Sequence, residues 1–254
     1  MPMVSEVQAT RLLLLGGTRE ARELAEKLAN DRRWAVISSL AGRTREPEAL
    51  TGQVRVGGFG GVAGLETYLA QQDIGIVVDA THPFAQAISL NARTAAEKME
   101  LPYLRLCRPP WQPGESDRWL NAANLEQAAE MVAPGCKVLL TIGRQELGPF
   151  LQRSDIRIVA RMIEEPQKPV PSNAELILAR PPFRVSDELA LLRDKEIDVL
   201  VTKNAGGSSV EAKLEAAREL GVDVIMIARP GDAPAVDAQS VDELMQLLQR
   251  HHAT

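Results

Sequence analysis

LLLLGGTREARELAEKLA (Leu12–Ala29) reads as an apolar strand, a paired-glycine turn and an amphipathic helix. Four consecutive leucines suit a strand buried on both faces. Ala21, Leu24, Ala25 and Leu28 then recur at helical spacing. Between them stands Gly16-Gly17-Thr18-Arg19-Glu20. Glycines let backbone approach a ligand closely, and the free N–H groups opening a helix favour an anion. Thr18 is a fitting N-cap. The third glycine of G-x-G-x-x-G is absent, so the turn reads either as a phosphate cradle or as a tight, capped connection.

The same alternation continues outward. Strands are expected at 34–40, 54–56, 74–79 and 103–106, with helices at 62–71 and 84–99. RPPWQPGESDRW (108–119), with three prolines and a glycine, interrupts the pattern. Beyond it, strands are expected at 138–142, 156–160, 198–202 and 222–227. Helices are expected at 125–132, 145–152, 187–193, 209–220 and 241–250. Near-continuous Val/Ile/Leu strands alternating with helices imply parallel sheets covered on both faces. The fold class is therefore α/β with two Rossmann-like domains, an N-terminal one over 1–108 and a C-terminal one over 109–254.

The totals exclude several classes. Of 254 residues, 45% are hydrophobic and 25% charged, as in an ordinary globular protein. No apolar run approaches the roughly 20 residues needed to cross a bilayer, and MPMVSEVQATR lacks a signal-peptide pattern. A net charge of −5 argues against nucleic acid as a partner. Cys107 and Cys136 form no CxxC, so no metal site is expected, and the thiols fit a cytoplasmic protein. His251 and His252 stand at the C-terminal end, leaving His82 as the interior histidine.

In parallel sheets, ligands sit beyond the carboxyl ends of the strands, so the residues after each strand are the candidate site. The second strand ends at Ser38-Ser39-Leu40-Ala41-Gly42-Arg43. NAD binders place an acidic residue there, whereas small polar groups and an arginine suit the 2′-phosphate of NADP. Ser38, Ser39 and Arg43 thus favour NADPH, and the missing carboxylate also speaks against an S-adenosylmethionine methyltransferase. Gly57-Gly58-Phe59-Gly60-Gly61 is either a lid, a ligand-facing backbone or a plain flexible loop. Asp79-Ala80-Thr81-His82-Pro83-Phe84 closes another strand; His82 there is either a general acid or a hydrogen-bonding structural residue. In the second half, Thr141-Ile142-Gly143-Arg144 and Lys203-Asn204-Ala205-Gly206-Gly207-Ser208 occupy the equivalent places. Ser208 and Glu211 match a capping box, and Lys203 adds a positive charge to that turn. Arg105, Arg108, Arg118, Arg161, Lys168, Arg180 and Arg184 gather in irregular stretches. They suit a substrate with several carboxylates, or they serve solubility.

LLLLGGTREAREL, VVDATHPFA, PYLRLCRPPW, LLTIGRQEL and LVTKNAGG, in that order, resemble the precorrin-6A reductases of cobalamin biosynthesis. The resemblance implies two Rossmann-like domains with the active site in the cleft between them. It implies an NADPH-dependent oxidoreductase acting on a CH–CH group, which reduces a ring double bond of precorrin-6A, a tetrapyrrole with several carboxylates, to precorrin-6B. The cobalt-precorrin-6A reductases of the anaerobic route look alike and stay open as an alternative, as does a non-enzymatic dinucleotide sensor. Carried over by motif, Gly16, Gly17, Thr18, Arg19, Glu20, Ser38, Ser39, Arg43, Thr81, His82, Pro83 and Phe84 are expected at the cofactor. Arg108, Thr141, Gly143, Lys203, Asn204, Gly206, Gly207 and Ser208 are expected at the substrate. His82 is the candidate proton donor, with water as the other source.

Overall fold

The structure, a computed structural model, describes residues 9–42, 51–166 and 169–252. The chain forms two compact units, Met1–Arg108 with Pro230–Thr254, and Pro109–Arg229.

The first unit contains β1 (Thr10–Leu15), α1 (Arg19–Ala29), β2 (Trp34–Leu40), β3 (Gln53–Val56), α2 (Gly61–Gln71), β4 (Ile76–Asp79), α3 (Gln86–Lys98) and β5 (Tyr103–Arg105). Its sheet is parallel throughout, in the order β3-β2-β1-β4-β5. Side chains alternate across a strand, and the leucine run serves both faces. Leu12 and Leu14 pack with Ala21, Leu24 and Leu28 of α1. Leu13 and Leu15 pack with Leu65 and Leu69 of α2 and with Ala92, Ala95 and Ala96 of α3.

The second unit contains β6 (Trp119–Ala122), α4 (Leu125–Met131), β7 (Lys137–Leu140), α5 (Gly148–Leu151), β8 (Arg157–Met162), β9 (Ala174–Leu178), α6 (Val185–Asp194), β10 (Val199–Lys203), α7 (Ala212–Leu220) and β11 (Asp223–Ile227). Its parallel sheet runs β9-β8-β7-β10-β11-β6. Counted from β7, this is the first sheet's order again: third, second, first, fourth, fifth. In both sheets the strand order reverses between the first and fourth strands, β1/β4 in one and β7/β10 in the other. Such switch points form the ligand crevices of doubly wound sheets.

The C-terminal segment departs from the expected domain of 109–254, because residues 230–254 return to the first unit. Ala238 bridges Leu106 in parallel, and the Asp237 and Ala238 amides donate to the Arg105 carbonyl. The last helix, α8 (Val241–His252), buries Val241, Leu244 and Leu248 with Leu12, Leu14, Leu24 and Leu28. Its apolar stripe demanded a partner; the stripe itself did not say which sheet would supply one. The edge strands β6 and β9 were also unexpected. They are short, with Leu120 and Leu178 about half exposed, and lack the continuous apolar run that marks a central strand. The expected capping box at Ser208 and Glu211 does not form. A 3-10 turn at Ser208–Val210 precedes α7, with no side-chain cap, so Ser208 is not an N-cap.

Candidate functional site

The switch point of the first sheet is built from the turn after β1 and the turn after β4. Thr18 has extended backbone (φ −118°, ψ 166°) and caps α1: its Oγ1 accepts from the Ala21 N–H at 3.0 Å. The same hydroxyl donates to the Ala80 carbonyl at 2.7 Å, tying the two turns together. Gly17 adopts φ +108°, and a Cβ built there meets no atom of the described residues within 4 Å. Only glycine holds that conformation easily, and the backbone beside it is open. Gly16 packs closely: its own Cβ position lies 3.5 Å from the Ala21 Cβ. Ala21 thereby fills the place where the third glycine of a dinucleotide fingerprint allows close strand–helix packing. The eleven-residue α1 presents its N-terminus to this opening, a fit for a pyrophosphate. Arg19 is exposed, while Glu20 pairs with Arg108 at 2.7 Å.

The turn after β4 is organised from below. Asp79 is fully buried; its Oδ1 accepts from the Thr81 N–H at 3.0 Å and the Thr81 hydroxyl at 2.7 Å. Its Oδ2 accepts from the Tyr103 hydroxyl at 2.8 Å and lies 3.6 Å from Arg105 Nε. Burial and the adjacent Asp79 carboxylate push the Tyr103 hydroxyl's pKa well up. Thr81 therefore turns its side chain into the protein. His82 Nδ1 accepts from the Phe84 N–H at 3.2 Å, which in the neutral ring leaves the proton on Nε2. Pro83 is buried and Phe84 half-buried.

The end of β2 differs most from the expectation set by its residues. Ser38 and Ser39 are both buried. Among the described residues Ser38 Oγ has no partner, and Ser39 Oγ accepts from Arg55 Nη1 at 3.0 Å. Arg43 lies outside the described residues, as does Lys168. Arg55, on β3 directly in register with Ser39, was not singled out from sequence. The available signal was a cation closing a short strand just before the glycine-rich loop.

In the second sheet, the corresponding crevice is filled from within. The Gly143 amide donates to Glu146 Oε2 at 2.8 Å, and Lys203 pairs with the same carboxylate. Thr141 Oγ1 donates to the Val201 carbonyl at 3.2 Å. Arg144 pairs with Glu164 at 2.7 Å. Asn204 brackets Trp111, accepting from its N–H at 2.8 Å and donating to its carbonyl at 3.1 Å. Trp111 Nε1 donates to the Gly207 carbonyl at 3.2 Å. Gly206 (φ +69°) lies so near Pro109 that a Cβ would stand 2.0 Å from its carbonyl oxygen. The second glycine-rich turn thus spends Asn204, Gly206 and Gly207 on holding residues 109–111. Glutamates pair with Arg144 and Lys203 in these turns.

A further polar group lies in the core of this unit. Arg161 and Glu188 form a buried pair at 2.6 Å, with Arg161 stacked 3.9 Å above the Phe183 ring centroid. Glu188 Oε2 has no partner among the described residues. Lys213, 5% exposed, lies 5.5 Å from the Trp111 ring centroid. Burial first, then the Arg161 charge, brings the Lys213 ammonium down to about 7. No cluster among the described residues is arranged to hold a metal ion. No helix among them is long and apolar enough to cross a membrane.

Two parallel sheets in the 3-2-1-4-5 order, one with an open glycine turn at a helix N-terminus, define a two-unit Rossmann-like α/β protein. Residues 11–249 match the family model described as "Precorrin-6x reductase CbiJ/CobK". The chain belongs to that family of reductases. It is 46% identical over 236 residues to the Precorrin-6A reductase of Rhodococcus erythropolis, covering 92% of this chain and 94% of the relative. It is 34% identical over 234 residues to the Cobalt-precorrin-6A reductase of Priestia megaterium, covering 86% and 90%. A solved structure titled "CobK precorrin-6A reductase" superposes with a TM-score of 0.90 at 41% identity, covering 95% of this chain and 97% of the other.

Proposed function

We propose that this chain is an NADPH-dependent reductase that saturates one ring double bond of precorrin-6A to give precorrin-6B, in cobalamin biosynthesis. The observation that carries the reading is the Gly17 turn, an open backbone at the N-terminus of α1 on the first sheet's switch point. The turn of Gly16, Gly17, Thr18, Arg19 and Glu20 holds the dinucleotide phosphates through its open backbone amides and Arg19, while the Glu20 carboxylate stays on Arg108. Thr81, His82, Pro83 and Phe84 supply the neighbouring wall, with Asp79 fixing its course from beneath. When bound, the nicotinamide supplies the hydride.

The contribution of this chain is placement, which alone is worth several kcal/mol in a well-oriented reaction. A conjugated macrocycle spreads the charge it gains, so little is asked of a protein acid. His82 Nε2 is the nitrogen from which a proton would come, since Nδ1 already accepts the Phe84 N–H. In the second unit, Lys203 and the Gly143 amide read a substrate carboxylate, and Glu146 stands for that acid group in the structure. Arg108, Thr141 and Ser208 complete our substrate-facing set, while Asn204, Gly206 and Gly207 shape the turn.

The metal-free substrate is preferred to the cobalt-bearing one because identity is 46% to a precorrin-6A reductase and 34% to a cobalt-precorrin-6A reductase. Anaerobic incubation with NADPH and precorrin-6A, following both absorbances, tests the reading. NADPH consumption only when the precursor is present is expected. Binding of NADPH without turnover on either the metal-free or the cobalt-bearing precursor would leave a dinucleotide sensor in its place.

A further inference from the structure

We propose that Arg55 is the residue that recognises the 2′-phosphate of the dinucleotide, and so sets the preference for NADPH over NADH. The proposal rests on the NADPH reading above and names the side chain that carries it.

Arg55 is fixed on every side by neutral groups. Nη1 donates to Ser39 Oγ at 3.0 Å and to the Gly57 carbonyl at 2.8 Å, and Nη2 donates to the Gly58 carbonyl at 3.1 Å. The guanidinium lies 3.8 Å above the Phe59 ring centroid and 5.1 Å from that of Tyr68, which meets Phe59 edge-on. Carbonyls, a hydroxyl and ring faces orient a cation without cancelling its charge. Among the described residues, no carboxylate pairs with it. The other cations at the strand ends differ: Arg108 has Glu20, Arg144 has Glu164, and Lys203 has Glu146. Arg55 therefore keeps a net charge that has already lost its side-chain freedom.

Its remaining donors match a phosphate. A guanidinium has five N–H groups, and three are engaged by the bonds above. Nε–H and one Nη2–H remain, neighbouring donors of the kind that grip phosphate with two parallel bonds. Among the described residues the surroundings are open: a Cβ built on Gly57, Gly58, Gly60 or Gly61 meets no atom within 4 Å, and three of the four have positive φ. The glycine-rich loop thus has two tasks. Its carbonyls hold the guanidinium, and its bare backbone leaves room beside it. The position agrees with the fold, since Arg55 stands opposite Ser39 near the carboxyl end of β2, where doubly wound sheets read the ribose.

The test is calorimetric binding of NADPH, NADH, 2′,5′-ADP and 5′-AMP to the full chain, as wild type, Arg55→Gln and Arg55→Lys. Wild type is expected to favour 2′,5′-ADP over 5′-AMP and NADPH over NADH by tenfold or more. Arg55→Gln should remove most of that preference by weakening only the two 2′-phosphorylated ligands. Arg55→Lys, which keeps the charge and loses the fork, should fall between, and serves if the glutamine variant does not fold. Equal weakening of all four ligands would overturn the proposal, since Arg55 would then only hold the glycine loop. An unchanged NADPH/NADH ratio in the variants would overturn it too, assigning the phosphate to another cation such as Arg43. Failure of wild type itself to discriminate would instead remove the NADPH reading on which the proposal stands.

Discussion

The two units share one strand order and differ in the turn that leaves the central strand. After β1, a glycine at φ +108° opens onto an eleven-residue helix capped by Thr18. After β7, α5 has only four residues, and Glu146 already takes the amide that would greet an anion. Their buried charges differ as well. In the first unit the buried Asp79 accepts hydrogen bonds from Thr81 and Tyr103 and pairs with Arg105 at 3.6 Å. The second buries Lys213 near Arg161 and leaves one Glu188 oxygen unpartnered among the described residues. One topology thus yields a receptive turn and a self-satisfied one. The lesson is that strand order marks where a ligand crevice can be, and local side chains decide whether it is free.

The largest effect that would sharpen this contrast is on stability. Lys213 holds its proton to about pH 7 in the folded protein and to about 10.5 when unfolded. Between those values the unfolded chain binds more protons, so stability should rise with pH from about 7 to 10.5. Below 7 the full cost of burying the ammonium applies. Lys213→Met should remove that slope and stabilise the second unit at pH 6, by an amount on the order of 4 kcal/mol. Urea midpoints followed by tryptophan fluorescence at pH 6 and pH 9, in a Trp34→Phe background, measure it. An identical slope in the variant would place the titration elsewhere.

Next comes the glycine pair itself. Gly17→Val forces a branched side chain to positive φ and into the open backbone, and should weaken NADPH binding about a hundredfold, close to 3 kcal/mol. Gly143→Ala meets only the end of the Glu146 side chain, 2.8 Å away, and should leave the NADPH Kd unchanged. Equal losses in the two variants, read by fluorescence titration, would erase the distinction between the turns.

A smaller change is expected where the second crevice is plugged. Glu146→Gln releases Lys203 from its carboxylate and should lower the KM for the tetrapyrrole about fivefold, roughly 1 kcal/mol, with NADPH binding unaltered. A raised KM would mean that Glu146 positions Lys203 instead of competing for it. His82→Ala should have the least effect, less than threefold on kcat, because the macrocycle stabilises its own charge. General acid catalysis is commonly worth about 10²–10⁴-fold, so a loss of that size with intact NADPH affinity would give the proton to His82.

Most of the helices and central strands could be read from the sequence because they depend on local pattern. Leu12–Leu15 and Ile76–Asp79 are apolar enough to require cover on both faces, and Gly16-Gly17-Thr18 carries its turn chemistry in three residues. The edge strands β6 and β9 could not be read, since half-exposed segments lack that signature. The candidate site divides the same way. Thr18 behaves as its residue type predicts, whereas Ser38 and Ser39 are buried in a role their sequence position does not announce. Arg55 carries little local signal, because its neighbour Ser39 is sixteen residues away and becomes adjacent only through parallel pairing.

Residue order alone was enough to specify the class of fold and the turns where a ligand should be sought, because periodicity, glycine and helix capping act over a few residues. Folding in three dimensions added that α8 covers the first sheet, that Arg55 is held by neutral groups, and that glutamates pair with Arg108, Arg144 and Lys203. Those outcomes depend on side chains distant along the chain being brought within hydrogen-bond reach, and no local pattern encodes that distance.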